Sequence, residues 1–418
     1  MTLHETACPE ALPSFPMPRD GRCPFDPPPR GRDLQQEVPM TRVRLADGST
    51  PWLVTRYAEG RALLLDPRLS ADASRPGYPH AAAAAGEDPS AASDGSVGGG
   101  AGLSFILMDD PEHARLRRMV QAPFTVRRIE AMRPDVQEIA DELIDAMLAK
   151  DGVVDLVEEF ALPLPSLVIC RLLGVPYAQH EFFQESSKAI VHRGATPEGR
   201  RAAFTDLAQY MGSLLAQKLE DPQEDLFSDL GARVLDGELT AAEAVQMGIL
   251  LLVAGHETTA NMIALGTTAL LEHPADAARL RDEPEPALVA SAVEELLRYL
   301  TITHDGRKRV ATEAIEIGGV RIRAGEGVIV ATDLGNRDPA VFADPATLDL
   351  ERNPRNHVGF GFGIHQCLGQ NLARMELQVV YPTLLRRVPG LRLAGELADL
   401  PFKHDAGIYG VHSLPVTW

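Results

Sequence analysis

The 418-residue sequence has few aromatic residues, few cysteines, a shortage of basic residues and no long apolar run. Aromatic residues make up 5% of it, which disfavours broad stacking on a planar ligand. Lysine and arginine total 40 against 59 acidic residues, a net charge of −19 that excludes nucleic-acid binding through a general basic surface. Neither an 18-residue apolar run nor a signal-peptide pattern occurs, so we expect a cytoplasmic protein without a membrane span.

Cysteine occurs at four positions only, Cys8, Cys23, Cys170 and Cys367. In a large cytoplasmic chain this number predicts free thiols rather than a disulfide framework. The first two lie in a proline-rich arm, and Cys170 lies in the apolar run LPSLVICRLLGVP, which predicts a core position. Cys367 alone, in FGFGIHQCLG, has neighbours that indicate chemistry.

Helical periodicity is abundant, and we predict one mainly α domain over residues 1–418 with small β-sheets. The segment from Asp110 to Glu295 is helical in pattern and punctuated by proline and glycine. Strands are predicted within 43–57, around an Asp-Gly turn, and within 307–332. Residues 1–35 form a proline-rich arm predicted to be irregular. Residues 71–104, rich in alanine, glycine and serine, predict either a mobile lid at a substrate entrance or a disordered connection.

The longest predicted helix runs from Leu239 to Pro274 and must cross the core. Thr240 and Glu243 form a capping-box pattern at its start. Its apolar middle contains AGHETT (254–259), whose glycine, carboxylate and threonines are unfavourable in a buried helix. Exposure of the carboxylate would explain this, but apolar neighbours on every side make that explanation the weaker one. We interpret the segment as a bulge that leaves room for a small ligand, with an acid and a hydroxyl that pass protons.

The loop around Cys367 admits three kinds of site. Gly361 and Gly363 let the backbone lie close to a flat ligand, and the helix that begins after Cys367 favours thiolate over thiol. A cysteine hydrolase would use His365 as its base, at a poor angle and without visible oxyanion donors. Zinc would need more Cys or His ligands than His357, His365 and Cys367 supply. A haem iron needs one thiolate, a flat apolar approach and cations for its propionates, and the segment fits all three.

Two further pairs are ambiguous when taken alone. His113 and Arg117, at i and i+4 in PEHARLRR, share one helix face and could belong to a solvated charged surface. Glu295 and Arg298, at i and i+3 in EELLR, could form a surface ion pair worth under about 1 kcal/mol. Their interpretation depends on the other motifs.

Together these motifs resemble those of bacterial cytochromes P450. The cysteine loop matches the family's FGxGxHxCxG pattern at every fixed position, AGHETT is similar to its oxygen-binding segment, and EELLR is similar to its ExxR pair. Arg352, in LDLERNP, is placed like the arginine that completes a triad with that pair. FPMPRDGRCPFDPPP and WLVTRYAEGRALLLDPRLS resemble the actinobacterial class I branch, which tailors natural products and oxidises xenobiotics. The resemblance covers nearly the whole chain.

The resemblance implies a role for each matching residue. Cys367 would be the axial thiolate ligand of haem iron, with Phe360 packed beside its sulfur. Glu257 and Thr258 would relay protons, Glu257 standing where many relatives have an aspartate. The other implied residues are the propionate ligands His113, Arg117, Arg309 and His365, the cofactor contacts Ala254, Gly255 and Gly369, the structural triad Glu295, Arg298 and Arg352, and the substrate-lining residues Leu250, Leu251, Ile302, Thr303 and His304.

The implied activity is monooxygenation with haem b, O2 and two electrons, by hydroxylation or epoxidation of a hydrophobic molecule such as a macrolide, terpenoid or polycyclic compound. The chain has no flavin or iron–sulfur motif, so electrons from NAD(P)H would arrive through ferredoxin reductase and ferredoxin. The ferredoxin would dock on exposed members of a set of arginines on the cysteine side, namely Arg115, Arg117, Arg118, Arg127, Arg128 and Arg374. A monomer is expected. The alternatives are oxidative coupling or C–C cleavage on the same fold, and a haemless recruitment module.

Overall fold

Helices dominate the computed structural model, which describes residues 12–80, 105–176, 196–404 and 406–418 and five positions within 182–189. Residues 1–11 of the proline-rich arm and 81–104 of the expected entrance loop lie outside the described residues. The α-helices are α1 (Pro29–Glu37), α2 (Tyr57–Leu65), α3 (Glu112–Val120), α4 (Val126–Ala131), α5 (Arg133–Leu148), α6 (Pro163–Leu173), α7 (Pro197–Glu220), α8 (Leu226–Leu235), α9 (Ala241–Leu271), α10 (Pro274–Asp282), α11 (Pro286–Leu300), α12 (Thr332–Gly335) and α13 (Gln370–Arg387).

The strands are short and form small sheets. They are β1 (Met40–Arg42), β2 (Trp52–Val54), β3 (Leu69–Ser70), β4 (Val154–Asp155), β5 (Arg307–Ala311), β6 (Ile315–Ile317), β7 (Val320–Ile322), β8 (Gly327–Val330), β9 (Arg392–Leu393) and β10 (Pro415–Thr417). One sheet has the order β1-β2-β8-β5-β3, another has the order β4-β10-β9, and β6 pairs with β7. The predicted mainly α fold with small sheets is confirmed.

Both predicted strand regions form hairpins. Strands β1 and β2 pair antiparallel, with Met40 opposite Val54, so the pairing begins three residues before the predicted start at residue 43. Strands β6 and β7 are joined by Gly318 and Gly319, whose φ values are 56° and 76°. Glycine adopts this left-handed conformation without a steric penalty, which explains the Gly-Gly turn.

The proline-rich arm is more ordered than predicted. Helix α1 begins at Pro29, since proline is favoured in the first turn of a helix. The prediction of irregular structure through residue 35 is therefore wrong for residues 29–35. Ahead of it, the Arg19 side chain is 2% exposed and lies 3.6 Å from the Asp333 carboxylate. Its guanidinium also stacks 4.2 Å from the Tyr409 ring centre, so the arm packs against the C-terminal segment.

Helix α9 crosses the core as its apolar pattern predicts. The capping box is present, since Thr240 Oγ1 accepts from the Glu243 N–H at 3.1 Å and Glu243 Oε2 accepts from the Thr240 N–H at 2.7 Å. The helix is long and apolar enough to cross a bilayer, but 78% of its most apolar window is buried inside the protein, as in a core helix. It packs against α6, α7 and α13.

The cysteine loop lies where several elements converge. Gly359 O accepts from Arg307 of β5, and Gly363 lies against Leu64 of α2. The His365 ring lies 4.2 Å from the ring of His113 in α3. Helix α13 follows directly, and it packs against α5, α9 and α11. The fold therefore brings Arg307, His113 and helix α13 to this loop from separate parts of the chain.

Candidate haem site

The backbone of the cysteine loop requires glycine at two positions. Gly361 and Gly363 have φ values of 72° and 76°. A Cβ on Gly363 would also lie 2.3 Å from the Leu64 carbonyl oxygen, so a side chain cannot fit there. The loop closes on itself when the Cys367 N–H donates to Phe360 O at 2.9 Å. The Phe360 ring beside this bond is covered by the Arg374 guanidinium, 4.6 Å from the ring centre.

Cys367 is a protonated thiol unless a metal binds it. Burial raises the pKa of the Cys367 thiol, and the Arg307 cation and the Gly369 N–H oppose that rise without cancelling it. The following helix start does favour thiolate through the Gly369 N–H, as expected, but burial outweighs it in the unligated residue. A bound metal ion deprotonates a coordinating thiol outright. The site accordingly fits a metal ligand better than a free nucleophile.

Two histidines face the loop with nitrogen atoms that have no acceptor. His113 Nδ1 is bound to Asp110 Oδ1 at 3.0 Å, but its Nε2 is buried without a partner among the described residues. His365 Nδ1 is likewise buried and unpartnered within the described part of the chain. Burial and the nearby Arg309 lower the pKa of His365 to about 3. Buried polar atoms are nearly always hydrogen-bonded, so both nitrogens indicate a missing acceptor.

Three arginines surround the same space, and none has a carboxylate within 4 Å among the described residues. Arg117 donates to Gln366 O at 2.6 Å, and Arg309 donates to Lys308 O at 2.7 Å. Arg307 donates to Gly359 O at 3.3 Å. Burial lowers the pKa of all three. The orphaned histidine nitrogens and unpaired arginines fit the two carboxylates of a haem, beside a single cysteine.

The sequence motifs do not single out Arg307, although the strand pattern places it beside Arg309. Residues 307 and 309 are two apart in strand β5, opposite Val330 and Val328 of β8. Side chains two apart in a strand leave on the same face. Once Arg309 was assigned to the propionates, this alternation pointed to Arg307 as well.

The AGHETT segment is helical throughout, which corrects the predicted bulge. Ala254 is exposed, which is compatible with the predicted open space beside this helix. Gly255 instead packs on helix α6, where an added Cβ would lie 3.1 Å from Ile169, so its small size serves helix packing. The Thr258 hydroxyl donates to Ala254 O at 2.7 Å. The available space therefore comes from Ala254 and not from a break in the helix.

Glu257 has a partner that the sequence did not reveal. Its Oε1 accepts from Lys403 Nζ at 2.8 Å and from Asn261 Nδ2 at 3.2 Å. Burial acts to raise the pKa of Glu257, but the Lys403 ammonium and Asn261 outweigh it, and the pKa is lowered. Gly410 presses close here, because an added Cβ would lie 1.7 Å from Asn261 Oδ1. Glu257 is thus a paired carboxylate that connects α9 to the C-terminal segment.

The Glu295–Arg298 pair is fully buried, with both side chains 0% exposed, so the surface alternative is wrong. Arg298 binds Glu295 through two hydrogen bonds of 2.7 Å each. Arg352 Nε adds a third contact to Glu295 Oε1 at 3.1 Å. Arg298 also donates to Asn336 O and Pro345 O, each at 2.9 Å. This triad ties α11 to the segment that leads into the cysteine loop.

Some of the predicted substrate-lining residues are brought together. Ile302 O accepts from the Tyr409 N–H at 2.8 Å, and the His304 and Tyr409 ring centres are 5.4 Å apart. Thr303 Oγ1 lies 3.5 Å from Thr332 Oγ1. Leu251 is buried in the core and Leu250 is partly buried against it. Contact between these leucines and the 302–304 segment stays a prediction.

Comparison with known proteins agrees with this geometry. The sequence pattern of the family Cytochrome P450 matches residues 198–388. The cytochrome P450 GfsF of Streptomyces halstedii is 53% identical over 420 residues, which cover 100% of this chain and 99% of that protein. The crystal structure of GfsF has a TM-score of 0.90 at 52% identity and covers 97% of this chain and 100% of that one.

Two further similarities extend along the whole chain. The mycinamicin VIII C21 methyl hydroxylase of Micromonospora griseorubida is 42% identical, covering 96% of this chain and 99% of that protein. Its structure bound to mycinamicin VIII has a TM-score of 0.88 at 41% identity and covers 97% and 100% of the two chains. The structure of CYP105P1 with filipin I has a TM-score of 0.88 at 42% identity and covers 97% and 99%. The chain therefore belongs to the cytochrome P450 family, as a bacterial class I haem-thiolate monooxygenase of the actinobacterial type.

Proposed function

We propose that this monooxygenase hydroxylates or epoxidises a hydrophobic natural product, with electrons from a ferredoxin and its reductase. The full-length similarity to a mycinamicin hydroxylase and to a filipin-bound structure supports this substrate class. The presence of the cysteine, the orphaned nitrogens and the unpaired arginines argues against the haemless recruitment module. We further propose a cytoplasmic monomer with a single domain.

The chain's own residues would bind the cofactor and control protons. The family's haem b, when bound, would activate O2 with two electrons and two protons, so that one oxygen atom is inserted and the other leaves as water. Cys367 would hold the iron, while His113, His365, Arg117 and Arg309 would bind the propionates with charge-assisted hydrogen bonds.

The proton path is carried by the acid and hydroxyl of α9. Thr258 donates its proton to Ala254 O, which lies beside the space that Ala254 leaves open. Rotation of the hydroxyl would let Oγ1 donate into that space. Glu257, ionised and held by Lys403, would first take up a proton from solvent and then pass it to Thr258 to replace the transferred one. We assign these two residues the catalytic proton transfer.

A spectral titration tests the substrate class. The ferric protein would be titrated with macrolides, steroids, terpenes and polyaromatic compounds while the low-spin to high-spin shift is followed. We expect a saturable shift for one natural-product class. If only simple polyaromatics shift the spectrum, the natural-product assignment is wrong. A wild-type protein without the red-shifted carbon monoxide band would refute the haem-thiolate assignment itself.

The proposed ferredoxin site uses fewer arginines than the full cysteine-side set. Arg115 is paired with Glu112 and Glu243, and Arg374 is paired with Glu294. Arg117 faces the haem site, as described above. The exposed members are Arg118, Arg127 and Arg128, of which Arg128 makes a solvent-exposed 3.5 Å contact with Glu224.

This exposed segment is attached to the helix that follows Cys367, because Asn371 donates to Phe124 O at 3.0 Å. Reversing Arg118 and Arg128 to glutamate should slow ferredoxin-driven turnover and flatten its salt dependence. Arg44→Glu/Arg321→Glu, the same charge change at two exposed residues near β1 and in β7, is the matched control. Equal rates for the two variants would contradict this docking surface.

A further inference from the structure

We propose that Arg307 is a further cofactor-binding residue, whose guanidinium binds a haem propionate together with Arg309. This inference rests on the haem assignment and goes beyond the ligands that the sequence motifs supply. Both arginines leave strand β5 on the same face, since they lie opposite Val330 and Val328 of β8.

The Arg307 guanidinium lies on the cysteine loop and not among the expected substrate contacts. Its Nη2 donates to Gly359 O at 3.3 Å. A Cβ added to Gly361 would lie 3.5 Å from its Nε and 4.0 Å from its Cζ. The guanidinium is therefore near the edge of whatever Cys367 binds.

Arg307 has no carboxylate counter-charge within 4 Å in the part of the chain that the structure describes. Its Nε is buried and has no hydrogen-bond partner in the described part of the chain. Arg307, Arg309 and Arg117 have no carboxylate within 4 Å among the residues described, and Arg307 and Arg309 also repel each other. A cation held out of water without a counter-charge is unfavourable. Arg307 lies near Arg309, and Arg309, Arg117 and His113 lie near His365, so two propionates there would supply two negative charges.

A substrate carboxylate is the competing partner for Arg307. The position of the guanidinium decides between the two, because it rests on backbone atoms of residues 359–361 in the cysteine loop. The expected substrate segment 302–304 forms hydrogen bonds with Thr332, Ala406 and Tyr409 instead. The cofactor is therefore the partner that the geometry favours.

Haem release from the full-length holoprotein tests this inference. Arg307→Gln, Lys308→Gln and wild-type protein would be mixed with excess apomyoglobin, and the transfer of haem would be followed by absorbance. Loss of one charge-assisted hydrogen bond should speed release about tenfold in Arg307→Gln. Lys308, on the opposite face of β5, is the matched control and should release haem at the wild-type rate. Arg307→Lys should restore part of the retention.

The reduction potential of the haem gives a second readout, which does not depend on the rate of haem release. Replacing Arg307 by lysine keeps the charge, whereas glutamine removes it, so only glutamine should lower the ferric–ferrous potential markedly. Equal haem release from Arg307→Gln and Lys308→Gln would overturn the inference, as would weakened binding of carboxylate ligands with unchanged haem release. The carbon monoxide band of the wild-type protein is unaffected by either result, so failure of this inference is distinguishable from failure of the haem-thiolate assignment.

Discussion

Two acid–base pairs differ in how completely they are enclosed. One lies within α11, and the other joins α9 to the C-terminal segment. Glu295 and Arg298 of α11 are 0% exposed, and their polar atoms bind each other, Arg352 and several carbonyl oxygens. Glu257 of α9 and Lys403 are 15% and 13% exposed, and a single ammonium contact joins them. The first pair is fully buried and hydrogen-bonded, whereas the second is partly exposed to solvent.

This difference separates a structural ion pair from one suited to chemistry. A fully enclosed, bidentate pair cannot change its protonation or geometry without leaving a buried charge. A partly open pair with one contact can rearrange at a modest cost. We therefore expect substitutions in the first pair to affect folding and substitutions near the second to affect proton transfer.

The largest effect is expected from Arg298→Met. Removal of the guanidinium leaves Glu295 buried with Arg352 as its remaining cation. It also leaves carbonyl oxygens of the 336–347 segment without their hydrogen-bond donor. Such a loss costs about 3–5 kcal/mol. Soluble yield, haem content and urea unfolding measure it. Arg355→Met, at an exposed arginine nearby in sequence, is the control and should stay within about 0.5 kcal/mol of wild type.

The contrast between the pairs also shows what could be predicted from the sequence. Fold class, the capping box of α9 and the cysteine loop follow from local spacing, which the chain itself encodes. The burial of Glu295 does not, because Asn336, Pro345 and Arg352 approach it from a separate segment.

Lys403 could not be assigned to Glu257 for the same reason, since the two are 146 residues apart. Its ammonium is brought to α9 only by the packing of the C-terminal segment around Gly410. Contacts of this kind depend on tertiary structure, and neither periodicity nor motif spacing reports them.

Glu294, next to Glu295 in sequence, is a third buried carboxylate that has cationic partners. Burial alone would raise its pKa, but His357 at 3.0 Å and Arg374 at 2.5 Å lower it from 4.5 to about 2. A carboxyl group whose pKa is lower in the folded than in the unfolded protein stabilises the fold at pH values above its unfolded-state pKa. This stabilisation is lost as the pH falls through its folded-state pKa. Glu294→Gln should therefore cost on the order of 3 kcal/mol at neutral pH.

The pH profile distinguishes this electrostatic effect from a packing defect. Urea unfolding of wild type and Glu294→Gln would be compared from pH 7 downward. The difference should shrink below pH 4.5 and approach zero near pH 2, the two limits of this titration. A difference that stays constant with pH would mean that the loss comes from packing.

Lys403→Gln should have a smaller effect, of roughly 1–2 kcal/mol, because the pair is partly solvated. Without the ammonium, burial should raise the pKa of Glu257 above its ordinary value of 4.5. The variant's deficit should then be largest at neutral pH and shrink as pH falls below that value. The double variant Glu257→Gln/Lys403→Gln should recover part of the stability in a double-mutant cycle, and simple additivity would show that the pair is not coupled.

Thr258→Ala should have the smallest effect on stability and a large effect on coupling. Its hydroxyl only bonds back to Ala254 O within the helix, so unfolding should change by no more than about 0.5 kcal/mol. Without that hydroxyl, electrons should be spent on hydrogen peroxide instead of product. Thr259→Ala is the matched control, because its neighbouring side chain is buried in the core at 5% exposure. We expect Thr259→Ala to lose stability and stay coupled, and the same peroxide yield from both variants would remove Thr258 from the proton path.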